Sequence, residues 1–177
     1  MKQNNDAWVS VDIEADGPIP GEYSMVSFGA VVVQEDGLGP SFFGELCPIS
    51  PSWIQEALAI SGYTREQTSR FLDAKTVMSN FETWLKDNVK GRPMFISDNN
   101  GFDWMFMHWY FIYFLKRDPF GHSSTNLGSL YKGMVKNMRC NFKHLRKTKH
   151  SHYPVDDARG NAEALVAMKK MGLEIDL

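Results

Sequence analysis

The sequence predicts an α/β fold in one domain over residues 1–177, a mixed sheet flanked by helices. Three features point to it. The first part carries β-branched runs separated by Gly, Pro and Asp turns, the middle carries helical periodicity, and the last part alternates strand and helix. A meander followed by strand–helix alternation is most simply accommodated by a mixed sheet with helices packed on it.

The elements follow in order. Residues 8–13 (WVSVDI) alternate and are β-branched, and Asp16, Gly17, Pro18, Pro20 and Gly21 then turn the chain. Residues 25–33 (MVSFGAVVV) read as a second strand. Asp36, Gly37 and Gly39 are expected to form a turn, with a third strand over 41–47 completing an antiparallel meander. Helical patterns follow at 53–59, 64–71 and 74–89. In the last of these Val77, Phe81, Trp84, Leu85 and Val89 recur at three- and four-residue steps, the mark of one buried face. After Gly91 and Pro93, residues 94–97 (MFIS) suit a short buried strand that runs into an aromatic helix starting near Phe102. Helices are expected over 127–138 and 156–171.

Composition excludes several classes. A chain of 177 residues with 43% hydrophobic content supports one substantial core. A net charge of −2 gives no global sign of a polyanionic partner, so any partner must be inferred locally. Cys47 and Cys140 lack CxxC spacing, which argues against a structural zinc or redox motif and suits a reducing cytoplasm. The start MKQNNDAW has no apolar segment behind its lysine. The apolar stretch 104–115 has 12 residues, short of the roughly 20 that span a bilayer, so no membrane association is expected.

Acidic residues stand where strands end and helices begin. Asp12 and Glu14, at i and i+2, share one face of the first strand. Two acids on a face that would ordinarily be core repel each other and resist desolvation unless cations neutralise them, and Mg²⁺ prefers such oxygen ligands. Asp103 falls in the first turn of the helix after 94–97, with Phe102 anchoring that turn. His152 and Asp157 bracket the entry into the last helix, where Asp156 is a neighbouring alternative. Each site alone has an ordinary reading: a solvated strand end, an acid complementing a helix N-terminus, an N-cap and a loop histidine.

Together they resemble a known family. A strand DxE, a strand-to-helix FD at Phe102-Asp103, and Hx4D from His152 to Asp157, in that order, resemble the DEDDh exonucleases of the DnaQ-like family. SMVSFGAVVV (24–33) looks like that family's second strand, and ALAISGYTRE (57–66) like the segment before its middle motif. The resemblance covers nearly the whole chain. It implies an RNase H-like fold with a central sheet of about five strands, and 3′-to-5′ hydrolysis of single-stranded RNA, DNA or short oligonucleotides to nucleoside 5′-monophosphates. It makes Asp12, Glu14, Asp103 and Asp157 ligands for two divalent cations, Mg²⁺ or Mn²⁺, and His152 the general base. The sequence departs from the pattern at Asp98, where members often carry histidine, and at Ala15 and Asp16, where they carry hydroxyls. Neither departure removes a ligand, and Asp16 and Asp98 become candidates for groups supporting the ligands. His144 and His150 compete for the role of His152 but lack its five-residue offset from Asp157.

The substrate has a candidate seat. Lys132, Lys136, Arg139, Lys143, Arg146, Lys147 and Lys149 give residues 119–155 seven positive charges and no acid, so the rest of the chain carries −9. Lys143, Arg146, Lys147 and Lys149 are the candidate phosphate contacts, with Phe102 as a further substrate contact. Phe28, Tyr23 and Trp104 could stack on bases. The aromatic helix is apolar all round except at His108, so one face is expected on the sheet and the other against a second copy in a homodimer. Two other functions fit the same residues, a phosphodiesterase for dinucleotide or nucleotide-derived signals and a non-catalytic nucleic-acid-binding module.

Overall fold

The computed structural model describes residues 6–35 and 37–177. Five strands form one mixed sheet in the order β3-β2-β1-β4-β5. They are β1 (Asp6–Ala15), β2 (Met25–Gln34), β3 (Gly37–Glu45), β4 (Arg92–Ser97) and β5 (Ser124–Asn126). The helices are α1 (Gln55–Ile60), α2 (Arg65–Thr68), α3 (Ala74–Asn88), α4 (Asn100–Leu115), α5 (Leu127–Met134) and α6 (Pro154–Lys170), with a 3-10 turn at Lys143–Leu145. Strand β1 runs antiparallel to β2 and parallel to β4, and β4 runs parallel to β5.

The central strands β1 and β2 are buried on both faces, so the sheet is the middle of three layers. Val9, Val11, Ile13 and Ala15 of β1 face a core built with Phe81 and Leu85 of α3 and Phe106, Met107, Tyr110 and Phe111 of α4. Val31, Val33 and Ile96 face a second core with Leu127, Tyr131 and the small-residue face of α6, Ala158, Ala162 and Ala164. The period of two therefore puts Ser10, Asp12 and Glu14 on the opposite face of β1 from Val9, Val11 and Ile13. Gly29, paired with Asp12 across β1 and β2, lets α6 begin against the sheet, because a Cβ there would sit 2.3 Å from the carbonyl carbon of Pro154 and the amide of Val155.

Several details differ from expectation. Gly37 and Gly39 lie inside β3 rather than in the turn, because a register shift between Val31 and Val33 absorbs the irregularity; the expected turn residue Asp36 lies outside the described residues. Strand β5 is only Ser-Thr-Asn and shows no apolar pattern, so nothing in its composition announces it. Helix α5 ends at Met134 rather than at 138, and Lys136 then takes a left-handed φ of 54°. On α4 the buried face is Asp103, Phe106, Met107, Tyr110 and Phe111, while Ile112 and Tyr113 stand exposed. Among the described residues no helix is long and apolar enough to cross a membrane.

Candidate active site

The carboxylates meet where β1 and β4 end. Strand β1 pairs with β4 as far as Ser10 and Ile96, so Asp12 and Glu14 project just past the paired region. Beyond Ser97 the chain turns into α4, where Asp103 lies on the first turn and is 2% exposed. Asp157 lies on the first turn of α6, 1% exposed, seated over β1 and β2 by the close approach at Gly29.

Crowding of buried negative charge shows in the protonation of these acids. Burial drives the Asp12 carboxyl well above the usual carboxylate range, and the charges of Asp103, Asp157 and Glu14 drive it further, with Arg146 opposing. Glu14 is pushed up to about 7 by burial and then by Asp157. Asp103 is pushed up to about 8 by burial, with Asp98 and Glu14 adding to it. One oxygen of Asp103, Oδ2, is buried without a hydrogen-bond partner. Clustered oxygens that are costly to ionise, one of them unpartnered, fit divalent cations: a hard cation would satisfy the orphan oxygen and offset the repulsion.

A loop holds two imidazoles over this cluster. The Asp157 carboxylate accepts the backbone N–H of Ser151 at 3.1 Å and of His152 at 2.9 Å, fixing the loop against α6. His152 adopts a left-handed φ of 59° and places Nδ1 3.7 Å from Glu14 Oε1. His150 Nδ1 lies 2.8 Å from Asp157 Oδ1. Upstream, Glu163 accepts the N–H of Lys147 and Thr148, at 2.8 and 2.7 Å, and the Thr148 hydroxyl at 3.0 Å.

A cleft of about 510 Å³ opens beside the acids, lined by Asp12, Glu14, Asp98, Asp103, Lys143, Arg146 and His150 on the polar side and by Pro18, Ile54, Ala57, Ile60 and Phe102 on the apolar side. The predicted substrate contacts are distributed unevenly around it. Lys143 and Phe102 line the cleft, whereas Lys147 lines a different groove with Glu35, Leu38 and Lys170. Lys149 is exposed on the histidine loop. Arg146 is 6% exposed; its guanidinium donates to Asp98 at 3.1 Å and to Asn161, and stacks over Phe142. It is therefore anchored by protein partners, though it lines the cleft and its charge reaches Asp12. Asp98 thus pairs with Arg146, and its charge acts on Asp103. Asp16 is buried and accepts the Ser24 N–H and the Arg65 guanidinium, each at 2.5 Å, which stabilises the loop after β1. Of the candidate stacking aromatics, Phe28 is fully buried in the core and Trp104 packs on Phe95. Tyr23 packs over Gly17, where a Cβ would meet its ring at 2.1 Å.

Sequence reasoning missed the contact of His150 with Asp157. The signal available was a second histidine two residues before His152, in a loop whose backbone reverses at that residue.

Compared with proteins of known function, 137 residues of the chain are 36% identical to the 3′-5′ DNA exonuclease Cap18 of Escherichia coli, a match spanning 76% of this chain and 72% of that protein. No family model matches the chain. Among solved structures, the nuclease domain of 3′hExo, a DEDDh family member bound to rAMP, superimposes with a TM-score of 0.75 at 14% identity, covering 99% of this chain and 96% of that one. E. coli exonuclease I in complex with a dA16 oligonucleotide gives a TM-score of 0.70 at 17% identity, covering 94% of this chain and 40% of that one. Those two likenesses concern the fold.

Proposed function

Because the chain belongs to the DnaQ-like DEDDh exonucleases and is a 3′-5′ exonuclease, we propose that it shortens single-stranded nucleic acid, DNA foremost, by hydrolysis at the cluster of Asp12, Glu14, Asp103 and Asp157. The observation that carries this reading is the convergence of four acids whose burial and mutual repulsion call for cations, one of them with an orphaned oxygen. DNA is favoured because the relative at 36% identity is a DNA exonuclease.

The reaction depends on divalent cations; this reading takes two, Mg²⁺ or Mn²⁺, held by the four carboxylates. When bound, such ions make water a better nucleophile and stabilise the leaving oxygen. The chain's own groups supply the rest. His152, exposed beside Glu14 and tethered through its N–H to Asp157, accepts the proton of the attacking water. The water oxygen bonds to phosphorus, the P–O3′ bond breaks, and the departing O3′ takes a proton from solvent, leaving the shortened strand with a 3′-hydroxyl as a nucleoside 5′-monophosphate is released. The apolar wall formed by Ile54, Ala57, Ile60 and Phe102 suits a terminal base, and Lys143 on the rim suits a phosphate. Arg146 holds the loop that carries the histidines by spanning Asp98 and Asn161.

The reading includes one exonuclease domain working in the cytoplasm, a setting that suits the free thiols of Cys47 and Cys140, and a homodimer across the outer face of α4 at Ile112 and Tyr113. Its test is product analysis on a length series of DNA and RNA strands, from dinucleotides upward. Nucleoside 5′-monophosphates released stepwise from DNA strands support it. Turnover confined to dinucleotides would replace it with a signal phosphodiesterase, and binding without turnover on any strand would replace it with a non-catalytic module.

A further inference from the structure

We propose that the histidine loop beside the cleft also forms a binding site for a late transition-metal ion, Zn²⁺ above all, held by His150, His152 and Asp157, and that filling it switches the exonuclease off. The regulatory half of this inference rests on the reading that Asp157 and His152 serve hydrolysis; the binding half stands on the side chains alone.

The donors are already gathered. One ligand atom from each of the three residues lies within 4.8 Å of the others, and His150 Nδ1 lies 2.8 Å from Asp157 Oδ1. The two imidazoles are 4.3 Å apart between ring centroids and inclined at 67°. The left-handed backbone at His152 brings residues two apart in sequence over one carboxylate. Asp157 is fixed by two backbone N–H groups, and both imidazoles are 51% exposed, open to an ion arriving from solvent.

The donor set selects the ion. Two imidazole nitrogens and one carboxylate oxygen, with water completing the shell, is a combination zinc uses; Mg²⁺ favours oxygen and holds its own waters. At nitrogen donors Zn²⁺ outcompetes Mn²⁺. Two chemistries therefore adjoin at Asp157, the oxygen-only cluster inside and the nitrogen-rich group on the histidine loop. A zinc ion there occupies the lone pair with which His152 would take a proton and takes up an Asp157 oxygen that the inner cations need. Inhibition follows from those two competitions, and His150 is the ligand that the hydrolytic reading does not use.

The test titrates Zn²⁺ into metal-free protein against a chromophoric chelator, with Co²⁺ as a visible-spectrum probe, in wild type, His150→Ala, His150→Gln and Asp103→Asn, each checked for folding by circular dichroism. Wild type should bind one tight Zn²⁺. Both His150 variants should weaken it by more than the roughly 10–100-fold that losing an outer-shell partner costs. Asp103→Asn should keep it, and Zn²⁺ near stoichiometry should stop hydrolysis in millimolar Mg²⁺. Equal affinity in wild type and the His150 variants, or loss on Asp103→Asn alone, would place the ion among the inner carboxylates and overturn the proposal. Tight binding that leaves hydrolysis unchanged would overturn its regulatory half. Absence of hydrolysis on every strand in Mg²⁺ would instead sink the exonuclease reading while the zinc titration still decides the binding site.

Discussion

Replacing Asp103 by Asn should destroy activity and yet make the cation-free protein more stable, by an amount that grows with pH. Asp103 is 2% exposed with one oxygen unpartnered, and burial raises it from 3.8 to about 8. A group whose folded pKa is raised contributes stability that is present below its unfolded pKa and lost as pH rises through the folded value. At pH 7 the carboxyl must stay protonated or ionise in place, and linkage puts the resulting penalty at up to ~4 kcal/mol, at about 1.4 kcal/mol per pH unit from 4 to 8. Asn removes that penalty but introduces an amide with unmet hydrogen bonds, costing roughly 1–3 kcal/mol. The net gain at pH 7 is thus on the order of 1–3 kcal/mol, or roughly 3–10 °C in melting temperature for a chain this size, and it grows toward pH 8. Thermal melts by circular dichroism in EDTA at pH 5, 6.5 and 8 measure it. Mg²⁺ should raise the melting temperature of wild type more than that of the variant. A wild-type-minus-variant gap that does not change with pH would refute the claim that Asp103 is the strained acid of the cluster.

Other expectations follow from the same contacts. Gly29→Ala forces a Cβ into the backbone of Pro154 and Val155, so it should cost about 1–3 kcal/mol in denaturant melts and lower activity by displacing Asp157. Glu163→Ala leaves the N–H groups of Lys147 and Thr148 without their acceptor; kcat should fall roughly 10–100-fold in steady-state assays while circular dichroism stays native, because the histidine loop loses its tether. Glu82 is held at about 2 by the Arg117 guanidinium, at 2.5 and 2.7 Å, with Lys86 also contributing. Its contribution is present above pH 4.5 and lost as pH falls through about 2. Since Arg117 is 64% exposed, Glu82→Gln should cost only about 1 kcal/mol at pH 7 in urea titrations, with the gap closing near pH 2.

Much of this was legible in the sequence because the signals are local. Period-two alternation put Asp12 and Glu14 on one face of β1, and three- and four-residue steps drew α3 almost to its ends. Asp103 sits on the first turn of its helix as expected. Long-range pairings left no local trace. Arg146 counted as one more basic residue, yet it is buried between Asp98, 48 positions earlier, and Asn161. Nothing around Gly29 in the sequence announces that α6 begins against it. Strand β5 has no apolar residue to mark it, and its place beside β4 depends on backbone pairing and on polar contacts of Ser124 with Asn100 and of Asn126 with the Asp98 carbonyl.

The central claim is that Asp12, Glu14, Asp103 and Asp157 bind the cations that drive 3′-to-5′ hydrolysis. The most direct measurement is single-turnover cleavage of a 5′-labelled DNA strand in Mg²⁺ by wild type and Asp157→Asn. Wild type should give a ladder shortening from the 3′ end that EDTA abolishes, and the variant should lose at least ~1000-fold in rate if it removes the two-cation stabilisation of the transition state. A variant as fast as wild type, or a wild-type ladder unchanged by EDTA, would contradict it.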